Sequence, residues 1–336
     1  MANIALAKFT LPTPIQRHGL SIGLAQRDMM ACAQTGSGKT AAFLFPIINS
    51  LLERGPTRQD LALEDGSRFP KVYPEAIIVA PTRELACQIF DEARKFAYRT
   101  FIRPFVVYGG ASTMQQLQEI QRYGCHILIA TPGRLLDFYE RRKLGLRKVR
   151  YLVLDEADRM LDMGFEPQVR RIVNETDLAA DRQTMMFSAT FPKEIQKLAA
   201  TFLRDYVFVT VGRVGSTNKS ILQQVLYVEE DDKHEQLLNI LRSVEGGLAL
   251  IFVQTKLEAD TLEHFLTKHS LPATSIHGDR QQYEREEALE HFRSGSKPFL
   301  VATDVASRGL DIPNVTHVVN FDMPASCEHL FWLNMR

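Results

Sequence analysis

The chain has 336 residues, 45% of them hydrophobic and 24% charged, with 40 basic against 40 acidic side chains. At roughly 150 residues per domain this points to two domains with true cores, and it excludes a disordered, a collagen-like or a uniformly basic chain. The neutral total conceals an asymmetry, since residues 1–212 carry 28 basic and 22 acidic side chains and residues 213–336 carry 12 and 18.

In chain order, short apolar runs fall at 29–33, 76–80, 105–108, 127–130, 151–154, 184–187 and 207–211. A second set falls at 222–228, 248–253, 273–276, 299–302 and 317–320. Runs this short and apolar on both faces predict buried parallel strands. Helix patterns separate them. Within 194–203, for example, Ile195, Leu198, Ala199, Phe202 and Leu203 make one apolar stripe. Strands alternating with helices predict α/β architecture with parallel sheets. The polar stretch 213–219 reads as an interdomain linker between a first domain over 1–212 and a second over 220–336. Residues 54–75 read as a surface insertion. The four cysteines, Cys32, Cys87, Cys125 and Cys327, lie too far apart for a zinc site or a disulfide framework. No leader pattern opens the chain, and the longest apolar run, 248–253, is far short of the ~18 residues of a membrane span. A soluble cytoplasmic protein is expected.

The strongest chemical signal is Ala33-Gln34-Thr35-Gly36-Ser37-Gly38-Lys39-Thr40, which follows a strand and opens a helix. The glycines let backbone N–H groups close around phosphate oxygens, Lys39 reaches the outer phosphates, and the Thr40 hydroxyl suits Mg²⁺. Ala33 stands where the strict pattern has glycine. Next, Val153-Leu154-Asp155-Glu156-Ala157-Asp158 delivers carboxylates at a strand's C-terminal end. Asp155 suits Mg²⁺ and Glu156 suits activation of a water, while a plain helix cap is the alternative. Phosphate loop and acidic strand end together specify a Mg²⁺-dependent nucleoside triphosphatase.

These residues resemble the DEAD-box ATP-dependent RNA helicases, whose name is spelled by 155–158. Pro12-Thr13-Pro14-Ile15-Gln16 resembles the Q motif. Pro81-Thr82-Arg83-Glu84-Leu85, Gly109-Gly110, Thr131-Pro132-Gly133-Arg134 and Ser188-Ala189-Thr190 resemble further motifs of the family in the same order. In the second half, 250–255, Gln282 with Arg285, and 301–311 do the same. The wording of 31–35 and the 54–75 insertion look most like the Vasa/Belle subfamily.

The resemblance implies two RecA-like domains, with ATP and Mg²⁺ as cofactors and RNA as substrate. It implies that Gln16 reads the adenine edge and that Phe9 stacks on the base, an ordinary core phenylalanine being the alternative. Residues Thr35, Gly36, Ser37, Gly38, Lys39 and Thr40 would hold the phosphates, Asp311 the ribose, and Thr40 with Asp155 the metal. Lys39, Asp155, Glu156, Ser188 and Thr190 would carry catalysis and its coupling to closure, a helix cap being the alternative for the last two. Thr82, Arg83, Gly110, Thr131, Gly133, Arg134, Arg280 and Thr303 would line a path for the RNA backbone; surface ion pairs are the alternative for Arg83 and Arg134. Phosphate and sugar contacts carry little sequence information, so low base specificity is expected. Translation or RNP proteins are the expected partners, and a monomer is the expected state.

The family pattern breaks after Met323-Pro324, where an arginine-rich motif is due and only Arg336 falls on an arginine position. The second domain is therefore expected to be incomplete and turnover to be impaired, an arginine finger being worth ~10³–10⁵ in rate. The alternative reading is a catalytically weak fragment that binds ATP, RNA or a partner.

Overall fold

The computed structural model describes residues 2–34, 36–56, 71–212, 221–244, 246–303, 312 and 314–322. The expected linker 213–219, the residues Thr35 and Asp311, and the tail from Met323 onward lie outside them. The chain divides into two compact units, 1–215 and 216–336.

The first unit holds seven described strands: β1 (Met29–Ala33), β2 (Ala76–Val79), β3 (Pro104–Val107), β4 (Ile127–Ala130), β5 (Tyr151–Leu154), β6 (Gln183–Ser188) and β7 (Val207–Val211). They form one sheet in the order β3-β4-β2-β5-β6-β1-β7, every pair parallel. Successive side chains of a strand point to opposite faces, so a sheet covered on both sides needs apolar residues at every position. In β1, Met29, Ala31 and Ala33 enter one core cluster while Met30 and Cys32 enter the other. The first cluster packs under α2 (Pro14–Leu24), α3 (Lys39–Arg54) and α4 (Arg83–Phe96); α1 (Ala2–Leu6) lies against α4. The second packs under α5 (Thr113–Tyr123), α6 (Pro132–Glu140), α7 (Ala157–Asp162), α8 (Glu166–Asn174) and α9 (Lys193–Phe202).

The second unit has α10 (Lys233–Arg242), β8 (Leu248–Val253), α11 (Lys256–Lys268), β9 (Ala273–Ile276), α12 (Gln282–Arg293), β10 (Phe299–Thr303) and β11 (Val315–Asn320). Its four described strands are parallel in the order β11-β8-β10-β9. The same alternation recurs in β8, where Ala249, Ile251 and Val253 meet α10 and α11, and Leu248, Leu250 and Phe252 meet the α12 side. No described helix is long and apolar enough to cross a membrane.

One expected strand is corrected. Residues 222–228 form no strand, and Leu222, Val225 and Tyr227 are 85%, 90% and 91% exposed. A β-branched, apolar run becomes a strand only when a neighbouring strand takes its backbone groups, and no described strand pairs with this run.

Where α2 crosses α3, the backbones approach closely. A Cβ on Gly23 would lie 2.7 Å from Cγ and 2.9 Å from Cβ of Pro46, a ring that cannot swing aside. The contact matters because α2 carries Gln16 to the phosphate loop. Gly23→Ala should lower stability by about 1–3 kcal/mol through overpacking, read as a lower urea midpoint by circular dichroism. An unchanged midpoint would show that the two helices separate freely.

Candidate active site

Parallel strands end on one side of the sheet, and ligands of open α/β sheets sit at that edge. The strand order sorts the expected residues along it. Thr82 and Arg83 follow β2, Gly110 follows β3, and Thr131, Gly133 and Arg134 follow β4, on one half of the edge. Asp155 and Glu156 follow β5, Ser188 closes β6, Thr190 follows it, and the Gly36–Thr40 loop follows β1, on the other half.

The loop is shaped by two glycines in the left-handed region, Gly36 at φ 74° and Gly38 at φ 90°. Ser37 donates its hydroxyl to the Gln34 carbonyl at 2.6 Å, and the buried Lys39 donates Nζ to the Ala33 carbonyl at 3.0 Å. Both bonds hold the loop curled back on the end of β1. Gln16, buried, braces it from α2. Its Oε1 accepts from the Thr13 N–H at 3.0 Å, and its Nε2 donates to the Gly38 carbonyl at 3.2 Å. A Cβ at Gly38 would collide with that nitrogen. One amide thus caps its own helix and fixes the position of the phosphate loop, and Nε2 keeps a second N–H. Phe9 is half-buried and meets Phe45 and Phe96 edge-on at 5.6 and 5.7 Å, packed against the core beside α3 and α4.

At the end of β5 each carboxylate has a different task. Asp155 is buried, and its Oδ1 accepts the Glu156 N–H at 3.0 Å while its other oxygen has no hydrogen bond among the described residues. Burial pushes its carboxyl up to about 6, opposed by nearby Lys39 and reinforced by Glu156. The half-buried Thr40 hydroxyl likewise makes no hydrogen bond among the described residues. A hard oxygen pair of this kind fits Mg²⁺, which takes few protein ligands and keeps most of its water. Glu156 sits at φ 54°, which turns its side chain back toward Arg159. Its Oε2 accepts from Arg159 Nη1 at 2.6 Å, a pair with side chains only 8% and 7% exposed. Asp158 accepts at Oδ2 from the N–H of Ala189 (3.0 Å), the N–H of Thr190 (2.8 Å) and the Thr190 hydroxyl (2.9 Å). The cap positions Glu156 of α7 and Pro192 of α9 make no side-chain cap bond, so Ser188 and Thr190 do not cap α9, while Asp158 accepts the Arg159 N–H of the first turn of α7 at Oδ1 (3.0 Å). The Ser188 hydroxyl is buried without a hydrogen-bond partner among the described residues.

On the other half of the edge, Thr82 caps α4 by accepting the Leu85 N–H at 3.2 Å. Arg83 stacks on Tyr108, its Cζ 4.3 Å from the ring centroid, and passes close to Gly110, where a Cβ would lie 3.0 Å from Nη1. Arg134 donates to Gln116 Oε1 at 2.9 Å and to the Ala111 carbonyl at 3.1 Å. Gln116 also accepts from the Tyr108 N–H and donates to the Tyr108 carbonyl, both at 3.2 Å. The two arginines are thus anchored to the loop after β3, not to exposed carboxylates alone. Thr131 is the cap position just before α6, and Gly133 is exposed. In the second unit, Thr303 ends β10, buried, and Arg280 lies in the turn between β9 and α12.

Sequence reading missed Asp158, Arg159 and Gln116 as working parts of the site. The first two were visible in the 155–159 run, but which acid faces which partner depends on the left-handed turn at Glu156.

A family model for DEAD/DEAH box helicases matches residues 13–198, and one for the helicase conserved C-terminal domain matches 232–332. Among solved structures, the yeast DEAD-box splicing factor Prp28 is 36% identical over 98% of this chain and 74% of its own, with a TM-score of 0.57. S. cerevisiae Dbp5 bound to RNA and ADP BeF3 is 28% identical over 99% of this chain and 82% of its own, with a TM-score of 0.83. A Dbp5 variant from the same yeast, bound to Gle1 and IP6, is 30% identical over 100% of this chain and 82% of its own, with a TM-score of 0.74.

The raised Asp155 carboxyl has a consequence for stability. Without divalent metal, the folded protein keeps its proton between about pH 4 and 6 where the unfolded chain has lost it. Stability from this group is therefore complete below about pH 4 and is lost as pH rises through about 6. Asp155→Asn keeps an oxygen for the Glu156 N–H and removes that loss. In EDTA the variant should be more stable than the parent above pH 6, by at most about 3 kcal/mol, with the gap closing below about pH 4. Thermal melts across pH check this, and a pH-independent gap would overturn it.

Proposed function

The chain belongs to the DEAD/DEAH box helicase family and is an ATP-dependent RNA helicase; we propose how its own residues divide that work. The observation that supports the division is the sorted edge of the first sheet. The acidic residues, Ser188 with Thr190, and the phosphate loop stand at the ends of β5, β6 and β1, while the anchored Arg83 and Arg134 stand at the ends of β2 and β4, with Gly110 after β3.

On this reading the Gly36–Thr40 backbone holds the triphosphate, and Lys39 gives up its bond to the Ala33 carbonyl for the outer phosphate oxygens. Thr40 and Asp155 hold Mg²⁺, which when bound neutralises charge on the phosphates. Glu156 orients the attacking water and accepts its proton; Arg159 keeps this carboxylate in place. Gln16 offers its remaining N–H to the adenine edge. Phe9 contributes its half-exposed ring to the base, and Thr35 and Asp311 complete the nucleotide contacts. Asp158 ties Ala189 and Thr190 to the acidic strand end, so a change at the phosphates moves the 188–190 segment and is passed on to the RNA side.

RNA is held through its backbone by Thr82, Arg83, Gly110, Thr131, Gly133 and Arg134 in the first unit and by Arg280 and Thr303 in the second. Hydroxyls, glycine-exposed amides and oriented guanidinium groups are the donors that phosphates accept from. The wording of 31–35 supports the Vasa/Belle affiliation. We place the protein in the cytoplasm as a monomer that works with RNP or translation proteins; the Dbp5 variant bound to Gle1 gives precedent for a protein partner.

The test is steady-state ATP hydrolysis with RNA, with DNA of equal length and with neither, alongside displacement of a short RNA duplex. RNA should stimulate turnover more than DNA does. Glu156→Gln should retain ATP binding and lose at least ~10²-fold in turnover. Parental turnover by that variant would remove Glu156 as the base, and equal stimulation by DNA would remove the RNA preference.

A further inference from the structure

Arg280 of the second unit is held by several partners. Its Nη2 donates to Asp260 Oδ1, Glu263 Oε2 and Ser275 Oγ, each at 2.8 Å, and its Nε faces His277 Nε2 at 3.2 Å. Asp260 and Glu263 stand one turn apart on α11, so both reach the same guanidinium. Ser275 and His277 rise from the end of β9 and are 1% and 4% exposed. Ser275 donates to one of the two carboxylates, 3.1 Å from Asp260 Oδ1 and 2.6 Å from Glu263 Oε2. His277 Nε2 lies 2.9 Å from Asp260 Oδ1, which requires an Nε2–H there; its Nδ1 is buried without a partner among the described residues. With that tautomer, the Nε side of Arg280 is blocked by the ring rather than bonded to it.

Two edges of the guanidinium are thereby taken, and Nη1 makes no hydrogen bond among the described residues. Two carboxylates against one cation leave the spot net negative. On Coulomb attraction alone that is a poor place to receive a phosphate. What the carboxylates supply instead is orientation: the planar fork is held with one pair of N–H donors turned outward.

We propose that Asp260 and Glu263 are positioning residues for RNA binding, holding Arg280 so that Nη1 meets a backbone phosphate. This rests on the reading that Arg280 touches RNA. The rival account, in which the carboxylates merely offset charge, makes the opposite prediction. Removing negative charge beside an RNA path should then tighten binding and steepen its salt dependence.

The experiment compares the full chain with the double variant Asp260→Asn, Glu263→Gln and with Arg280→Ala. Binding of single-stranded RNA is measured with a non-hydrolysable ATP analogue over a range of salt, together with RNA-stimulated ATPase. The double variant should bind RNA on the order of tenfold more weakly at every salt concentration, although it is more positive. The RNA concentration for half-stimulation should rise in step, with turnover at saturating RNA unchanged. A purely structural tie would lower the melting temperature without that split. Equal or tighter RNA binding by a folded double variant overturns the proposal, provided Arg280→Ala weakens binding. If Arg280→Ala leaves binding unchanged, the reading of Arg280 as an RNA contact fails first. Where the double variant does not fold, Asp260→Asn alone decides by the same sign, since that carboxylate is 47% exposed.

Discussion

Parallel pairing with both faces covered is the constraint on which the rest depends. Because the seven described strands of the first unit run the same way, their carboxyl ends meet at one edge. Because alternate residues of each strand belong to opposite cores, a strand cannot slip by one residue without exchanging its two buried faces. The edge is therefore rigid, and groups placed on it keep their spacing. The order β3-β4-β2-β5-β6-β1-β7 then divides that edge into a half with phosphate chemistry and a half with anchored arginines.

Coupling across the edge runs through Asp158, which is tied to the segment after β6. Asp158 is buried, yet it accepts three donors from 189–190, and a buried carboxylate with such partners stays anchored. Asp155, three residues earlier at the end of β5, has one such bond, from the Glu156 N–H, and burial raises its carboxyl. Two acids in one short run thus differ in their partners, one spent on structure and the other keeping an open oxygen. Gln16 plays the corresponding part for the phosphate loop, bonding to its helix start and to Gly38 with one side chain. The second unit repeats the device, with Arg280 fixed from several sides and one edge left outward.

Much of this was legible from residue order. The strand–helix alternation predicted both sheets, and of the apolar runs only 222–228 failed, since a strand needs a neighbour and periodicity carries no information about one. The phosphate loop, the acidic strand end and the anchoring positions after β2, β3 and β4 were readable as well, because each depends on a few adjacent residues and on the strand before them. Contacts set by backbone turns or by distant partners were not. The Glu156–Arg159 pair follows from a left-handed residue. The grip of Gln116 on Tyr108 and Arg134 joins segments that the chain keeps apart.

By itself, then, the sequence determined the fold class, the family and the identity of the chemical groups, since these follow from local pattern and composition. The tertiary structure alone decided which groups share an edge, which carboxylate is clamped and which is open, and which arginine donors face outward. Those outcomes depend on strand order and on long-range hydrogen bonds, and neither is written in the spacing of neighbouring residues.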